Sequence, residues 1–374
     1  MVLVRKLAIF SERSGKSGRF IYEIVFGAAW SSSVNLTAII SPMNLKELAK
    51  ELNVSPSTVS KAFRNSYDIS PETRERILAR ARDFNYQPNP LASSLRTQKT
   101  KTIAVILPEI ANNFFTLAIN GIEAVAQKQG YHVLIYITHE DTQKEIDFIN
   151  SLQGGRVDGV LISLSQGTTD YTHLHGLAQK GIPVVYFDRV MDDDAAVRVT
   201  TNDEESAYLA TRHLIERGCR RIAHLYFYEH LSISQKRRAG YIRALEESGM
   251  KVNEKLIVQC PGQEAADKAL IKKLLHGRHR PDGIFSSIEK LALLAYQVCN
   301  ESGLNIPGEV RIISFSNLPT AGLLAPSLST ITQPAYEMGE AAAASLFNLL
   351  AKRPDRSRLQ TISLSSRLVQ RAST

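Results

Sequence analysis

Ser57, Ser60, Lys61 and Arg64 stand at i, i+3, i+4 and i+7, the spacing that lines one face of a helix. Two hydroxyls and two cations on one face suit nucleic acid. Short hydroxyls reach phosphates and base edges, a lysine ammonium approaches guanine O6 and N7, and an arginine holds phosphate. The competing reading is the solvated polar face of a small three-helix domain. A second group lies downstream, where apolar Leu95 is followed by basic Arg96 in a stretch rich in Pro and Ser. An apolar side chain beside a base is how proteins pry open a minor-groove step. The alternative there is an extended tether.

Helices must position these groups, and the sequence supplies them. Leu45, Leu48, Ala49 and Leu52 form an apolar stripe that predicts a first helix. Asn53 accepts the left-handed conformation that ends it. Ser55 then caps a second helix, with Pro56 in its first turn, where a missing N–H costs nothing. Val59, Ala62 and Phe63 point inward from that helix, opposite the hydroxyl and cation face. Ser70-Pro71 repeats the start signal for a third helix over 71–84, with Ile77, Leu78, Ala81 and Phe84 apolar. Two short helices, a tight turn and a third brace make a helix-turn-helix head over 43–88. Residues 89–101 read as a hinge and linker, and Leu91, Ala92 and Leu95 share one side if it forms a helical turn or two.

From residue 102 the pattern changes. TIAVILP (102–108), YHVLIYI (131–137), VDGVLISL (157–164) and IPVVYF (182–187) are apolar runs of strand length, separated by helical stretches such as 115–129 and 142–153. A second set follows: RIAHLYF (221–227), KLIVQC (255–260), DGIFSS (281–286) and VRIISF (310–315), then a helix over 334–351 and LQTISL (359–364). Apolar strands alternating with helices argue for parallel sheets covered on both faces. Two sets exceed one sheet, so residues 102–374 are expected to form two α/β lobes.

Charge separates these regions. The net charge is +8, but residues 102–374 hold 29 basic and 29 acidic side chains, so the whole excess lies in residues 1–101. A basic end on a neutral body fits a nucleic-acid-binding head. The three cysteines, Cys219, Cys260 and Cys299, are isolated and carry no metal-ligand spacing, which fits a reducing cytoplasm.

VSPSTVSKAFRN, ISPETRERIL and NYQPNPLASSLRTQKTKTIAVILP resemble the LacI/GalR family of transcription regulators, and so do IPVVYFDR, HLIERGCRRIAHL, RRAGYIRALEESG, PSLSTITQPAYEMGEAA and RLVQRAST. The resemblance spans residues 43–374. It implies a head whose second helix reads operator DNA through Ser57, Ser60 and Lys61, with Thr58 on phosphate. Pro56 replaces a residue that often reads bases, and it offers no donor. Ala92 and Leu95 match hinge-helix positions, with Leu95 as the wedge. The body is implied to resemble a periplasmic sugar-binding protein, with a small-molecule effector, possibly a carbohydrate, in the cleft. The reading is a cytoplasmic homodimer on a palindromic site, a repressor without cofactor or metal and not an enzyme. An exported solute-binding protein and a sugar-processing enzyme are the rivals.

In parallel α/β lobes ligands lie beyond the carboxyl ends of the strands. Asp188 and Arg189 follow one strand and match the family motif. Arg237, in R-x-x-G-Y, matches the arginine that holds an effector hydroxyl or carboxylate, a role suited to its planar fork. Phe115 stands where an aromatic flanks the ligand. The family's Asn-Asp becomes Ile288-Glu289, its Gly-Phe-Asp-Asp becomes Ser314-Phe315-Ser316-Asn317, and its Asp-Asn becomes Asn202-Asp203. Glu289 and Asn317 are therefore expected to replace displaced sugar-binding carboxylates.

Other signals are weak. Gly15-Lys16-Ser17 lacks the first glycine of a phosphate loop. His173 with His175, and His276 with His279, are expected to be surface histidines. No nucleophile elbow or helical His-Glu-x-x-His is present. Residues 1–42 hold an apolar stretch broken by Glu23 and too polar to span a membrane. They are expected to be upstream sequence read from too early a start, with a disordered extension as the alternative; Met43 stands where such heads begin.

Overall fold

The computed structural model describes residues 43–64, 66–87, 99–191, 196–351 and 361–374. Residues 1–42, and Ala92, Leu95 and Arg96 of the expected hinge, lie outside the described residues. The chain divides into two units near Asn89.

Three helices build the first unit: α1 (Leu45–Glu51), α2 (Pro56–Phe63) and α3 (Pro71–Asp83). Each starts on a side-chain cap. Asn44 accepts from the amides of Lys46 and Glu47, and Glu47 returns a bond to the Asn44 amide, a reciprocal box that satisfies orphan donors. Ser55 and Ser70 accept from the amides of Thr58 and Thr73. Asn53 adopts φ 53°, as its type suggested. Leu48, Ala49, Val59, Ala62, Ile77 and Ala81 form the buried core. Arg74 donates from Nε to the Ala62 carbonyl at 3.2 Å, tying α3 to the end of α2.

The second unit contains two six-stranded sheets. The first lobe holds β1 (Thr102–Leu107), α4 (Asn113–Lys128), β2 (His132–Ile137), α5 (Thr142–Leu152), β3 (Gly159–Ile162), α6 (Thr172–Gln179), β4 (Val184–Phe187) and β5 (Val197–Thr201). The second holds α7 (Asp203–Glu216), β6 (Ile222–Tyr226), α8 (Ser232–Glu247), β7 (Ile257–Gln259), α9 (Glu264–His276), β8 (Gly283–Ser286), α10 (Glu289–Ser302), β9 (Arg311–Phe315) and β10 (Ser329–Thr332). The chain then returns as α11 (Ala335–Leu350) and β11 (Ile362–Leu364) to the first lobe and ends with β12 (Arg367–Val369) in the second. The sheet orders are β11-β5-β4-β3-β1-β2 and β12-β10-β9-β8-β6-β7. All pairs are parallel except β10 with β12.

The return of α11 depends on glycine. A Cβ at Gly339 would lie 2.0 Å from the Ala118 carbonyl oxygen of α4, and one at Gly121 would lie 2.1 Å from that of Tyr336. Only a bare Cα allows backbones this close. The second lobe repeats the device at Gly240, where a Cβ would meet the Glu204 carbonyl.

Three expectations need correction. KLIVQC is not one strand: Glu254–Leu256 forms a 3-10 turn, capped by Asn253, and only Ile257–Gln259 pairs. β5, β10 and β12 were not anticipated, because VRVTT, STIT and RLV lack an apolar run. Ser329 and Thr330 of β10 are nevertheless buried, with their hydroxyls bonded. His173 is no surface histidine; its side chain is 7% exposed and its Nε2 meets Glu145 at 3.0 Å.

Candidate functional site

The first candidate site is the outer face of α2. Ser57 and Arg64 are exposed, while Thr58, Ser60 and Lys61 are partly so. The Ser55 hydroxyl gathers those of Ser57 and Thr58 at 2.7 and 2.8 Å, so the start of α2 presents a hydroxyl cluster. Arg64 folds back through Nε onto the Ser60 carbonyl at 3.0 Å. Lys61 forms an ion pair with Asp68 in the turn before α3, and this partner holds the Asp68 carboxyl below its usual range. Both side chains stay more than a third exposed, so the pair is loosely held. Tyr67, which the sequence reading passed over, is fully exposed beside it. An aromatic without an apolar partner at helical spacing was the available signal.

The second candidate site lies between the lobes, where the carboxyl ends of both sheets face each other. An inner chamber of about 40 Å³ is lined by Phe115, Asp188, Arg189, Arg237, Glu289 and Asn317, together with Asn112, Ser287, Phe315, Ser316 and Gln333. All six residues singled out from sequence thus meet at one chamber. It adjoins an outer cleft of about 520 Å³, and Asn112, Arg189, Ile288 and Glu289 line both. The inner chamber holds a few waters at most, whereas the outer cleft has the size of a small-molecule site.

Partners decide what each group can do. Arg237 donates to Asp203 from Nε at 2.8 Å, and its Nη2 lies 2.7 Å from the same oxygen. Its Nη1 donates to the Ser287 carbonyl at 2.6 Å, and its Cζ lies 3.8 Å from the Phe315 ring centroid. Arg189 grips both oxygens of Glu140 at 2.8 and 2.9 Å. The neighbours Asp188 and Arg189 therefore do not form a local ion pair. The buried Nε of Arg189 has no partner among the described residues. Burial pushes the Asp188 carboxyl up to about 6, against the pull of Arg237 and Arg189.

Asn317 is turned inward. Its Nδ2 donates to the Gln333 carbonyl at 2.7 Å and its Oδ1 accepts from the Gln333 amide at 3.3 Å. This clamps the end of β9 to one of the three chain crossings between lobes. The others are tied as well: Gln333 reaches the Thr201 hydroxyl, and Asn202 accepts from the Ser366 amide. The departures at 202, 203 and 317 thus serve the crossings and the Arg237 partner.

Backbone strain also marks the cleft. Seven described non-glycine residues have positive φ, and four of them, His139, Glu140, Asp188 and Tyr228, line one of the two chambers. Such conformations persist where surrounding structure enforces them and concentrate at functional sites. Only coordinates disclose this.

Comparison with known proteins follows the same division. Residues 44–89 match the family model described as bacterial regulatory proteins, lacI family, and residues 211–374 match that of a periplasmic binding protein-like domain. The chain is 30% identical over 303 residues to catabolite control protein A of Priestia megaterium, covering 80% of this chain and 90% of that one. It is equally identical over 310 residues to the ribose operon repressor of Halalkalibacterium halodurans, covering 83% and 91%. Among solved structures, a LacI family transcriptional regulator from Enterococcus faecium with bound ribose superposes with a TM-score of 0.65 at 26% identity, over 73% of this chain and 98% of that one.

Proposed function

The chain belongs to the LacI family of bacterial regulatory proteins, and we propose that it represses transcription by holding operator DNA with an affinity set by a small molecule bound between its lobes. As a family member it is a DNA-binding transcription regulator, not an enzyme. The observation that carries the proposal is the pairing, in one chain, of a capped helix with a hydroxyl and cation face and a ligand-sized cleft at the strand ends.

Ser57, Ser60 and Lys61 read base edges, while Thr58 and Arg64 hold phosphate. Ala92, Leu95 and Arg96 form the hinge, with Leu95 wedged into the central step. Two copies place two heads on a palindromic site. The exposed apolar Leu117 of α4 and Leu134 and Ile135 of the edge strand β2 favour such pairing. Phe115, Asp188, Arg189, Arg237, Glu289 and Asn317 build the effector site. A ligand that prefers one lobe arrangement shifts DNA affinity by its differential affinity for the two states. The relatives named for a ribose operon and for bound ribose make a sugar the first ligand to try. Among the described residues no helix is long and apolar enough to cross a membrane, and the protein acts in the cytoplasm.

The test is binding to labelled DNA from upstream of its own gene, with and without candidate sugars. Lys61→Ala should lower specific affinity by roughly five- to a hundredfold, the worth of one good base contact. Asp68→Asn should free the ammonium, tighten binding to unrelated DNA and steepen the salt dependence. Leu95→Ala should weaken specific binding; undiminished affinity would refute the wedge. No specific binding by the parent, with or without ligands, would sink the regulator reading.

A further inference from the structure

The charges of the cleft do not balance. Each buried arginine is already neutralised, Arg237 by Asp203 and Arg189 by Glu140. Lys290 sits at the exposed mouth of the outer cleft. Against that single ammonium stand three carboxylates, Asp188, Glu289 and Glu109, none of which has a cation within 4.0 Å among the described residues.

Two of these carboxylates are held by neutral donors on one oxygen only. The Ser316 hydroxyl donates to Glu289 at 2.7 Å, and the Asn112 amide donates to Glu109 at 3.0 Å. Each keeps its second oxygen unbonded among the described residues. The third, Asp188, is 6% exposed and lines the inner chamber with Gln333 of the crossing. Independently, Arg189, itself 4% exposed and lining both chambers, keeps its Nε–H without an acceptor among the described residues. A ligand that completes this set must offer an acceptor to Arg189 and positive charge to the acids. Phe227 and Tyr228 of the outer cleft supply apolar walls for its carbon skeleton.

We propose that the effector is a small polyhydroxylated ammonium cation, of the amino-sugar class, whose charged nitrogen is held between Glu289 and Asp188. This deepens, and rests on, the reading of the cleft as the effector site. A phosphate or carboxylate in the same place would face three acids without a counter-charge and find both arginine charges already neutralised. A neutral sugar would satisfy the Arg189 donor and offer hydroxyls to the acids, but would bring them no counter-charge.

The test uses the full chain and matched probes: glucosamine, glucose and gluconate, then galactosamine, galactose and galactonate, by calorimetry and thermal shift. The amine should bind at least about tenfold tighter than its neutral parent in one series, the acid should not bind, and Glu289→Gln should erase the amine's advantage. Asp188→Asn is the second variant, should the first fail to fold. The proposal is overturned if a neutral or acidic member binds as well as the amine. It is equally overturned if the advantage survives both substitutions or no amine shifts melting at millimolar concentration. Release of DNA by a neutral sugar would remove the amine class and leave the regulator reading standing. Tight amine binding with unchanged DNA affinity would do the reverse.

Discussion

Replacing Arg237 by alanine is expected to destabilise the body by about 3–5 kcal/mol, the usual loss when one member of a buried ion pair is removed. Its side chain is 5% exposed and that of Asp203 2%. The variant leaves Asp203 buried without a counter-charge, strips the Ser287 carbonyl of its donor and uncovers the Phe315 ring. The loss should depend on pH, and its sign follows from Asp188. Burial raises that carboxyl from 3.8 to about 6 in the folded chain. Folding stability linked to it is whole below 3.8 and declines as pH rises through 6. Arg237 is the largest influence opposing this rise. Without it the decline extends to higher pH, so the variant's deficit should be greater at pH 8 than at pH 5. Thermal unfolding of parent and variant at the two values measures this. Equal deficits would assign the role of Arg237 to packing on Phe315 and not to charge. Arg237→Lys restores a cation without the planar fork and should recover part of the stability but not the ligand response.

What could be read from sequence, and what could not, divides by the range of the interactions. The head was legible because its signals are local: Ser55, Pro56, Asn53 and the Leu48/Ala49 stripe act within one or two turns. The two lobes were legible from the alternation of strand and helix, Asp188 and Arg189 from the rule that ligands gather at strand ends together with the family resemblance, and Arg237 from the resemblance alone. Their partners were not. Glu140 lies 49 residues before Arg189, and Asp203 lies 34 before Arg237, so nothing in either sequence neighbourhood announces the pairing. Asn317 illustrates a second limit. Its amide suits a sugar hydroxyl and a backbone clamp equally well, and that it also clamps the crossing follows from the register of β9 against β10, which the sequence does not display. β10 hid because its polar residues are buried with their hydroxyls bonded, which composition does not reveal.

Truncating Ile77 to alanine should silence the head while sparing the body. Ile77 is fully buried between all three helices, against Leu48, Val59 and Ala62. Loss of such a side chain costs about 2–5 kcal/mol. A unit of about 45 residues has only about 2–7 kcal/mol to lose at ordinary stability per residue. The two ranges overlap, so much of the population should carry an unfolded head. Its DNA contacts fail together, because Val59 and Ala62, which Ile77 packs against, fix the orientation of the Ser57, Ser60 and Lys61 face. DNA affinity should fall to the level of an unrelated sequence, read by fluorescence anisotropy. Ligand-dependent melting should persist, since every residue of the cleft lies in the other unit. Ile77→Val removes one methylene at about 0.5–1.5 kcal/mol and should leave specific binding measurable, which separates a stability effect from a contact effect. Parent-level affinity in Ile77→Ala would mean that binding itself folds the head, with the DNA supplying the order that the core lost. In that case the salt dependence should match the parent's, while head protection in hydrogen exchange would be restored only when DNA is bound.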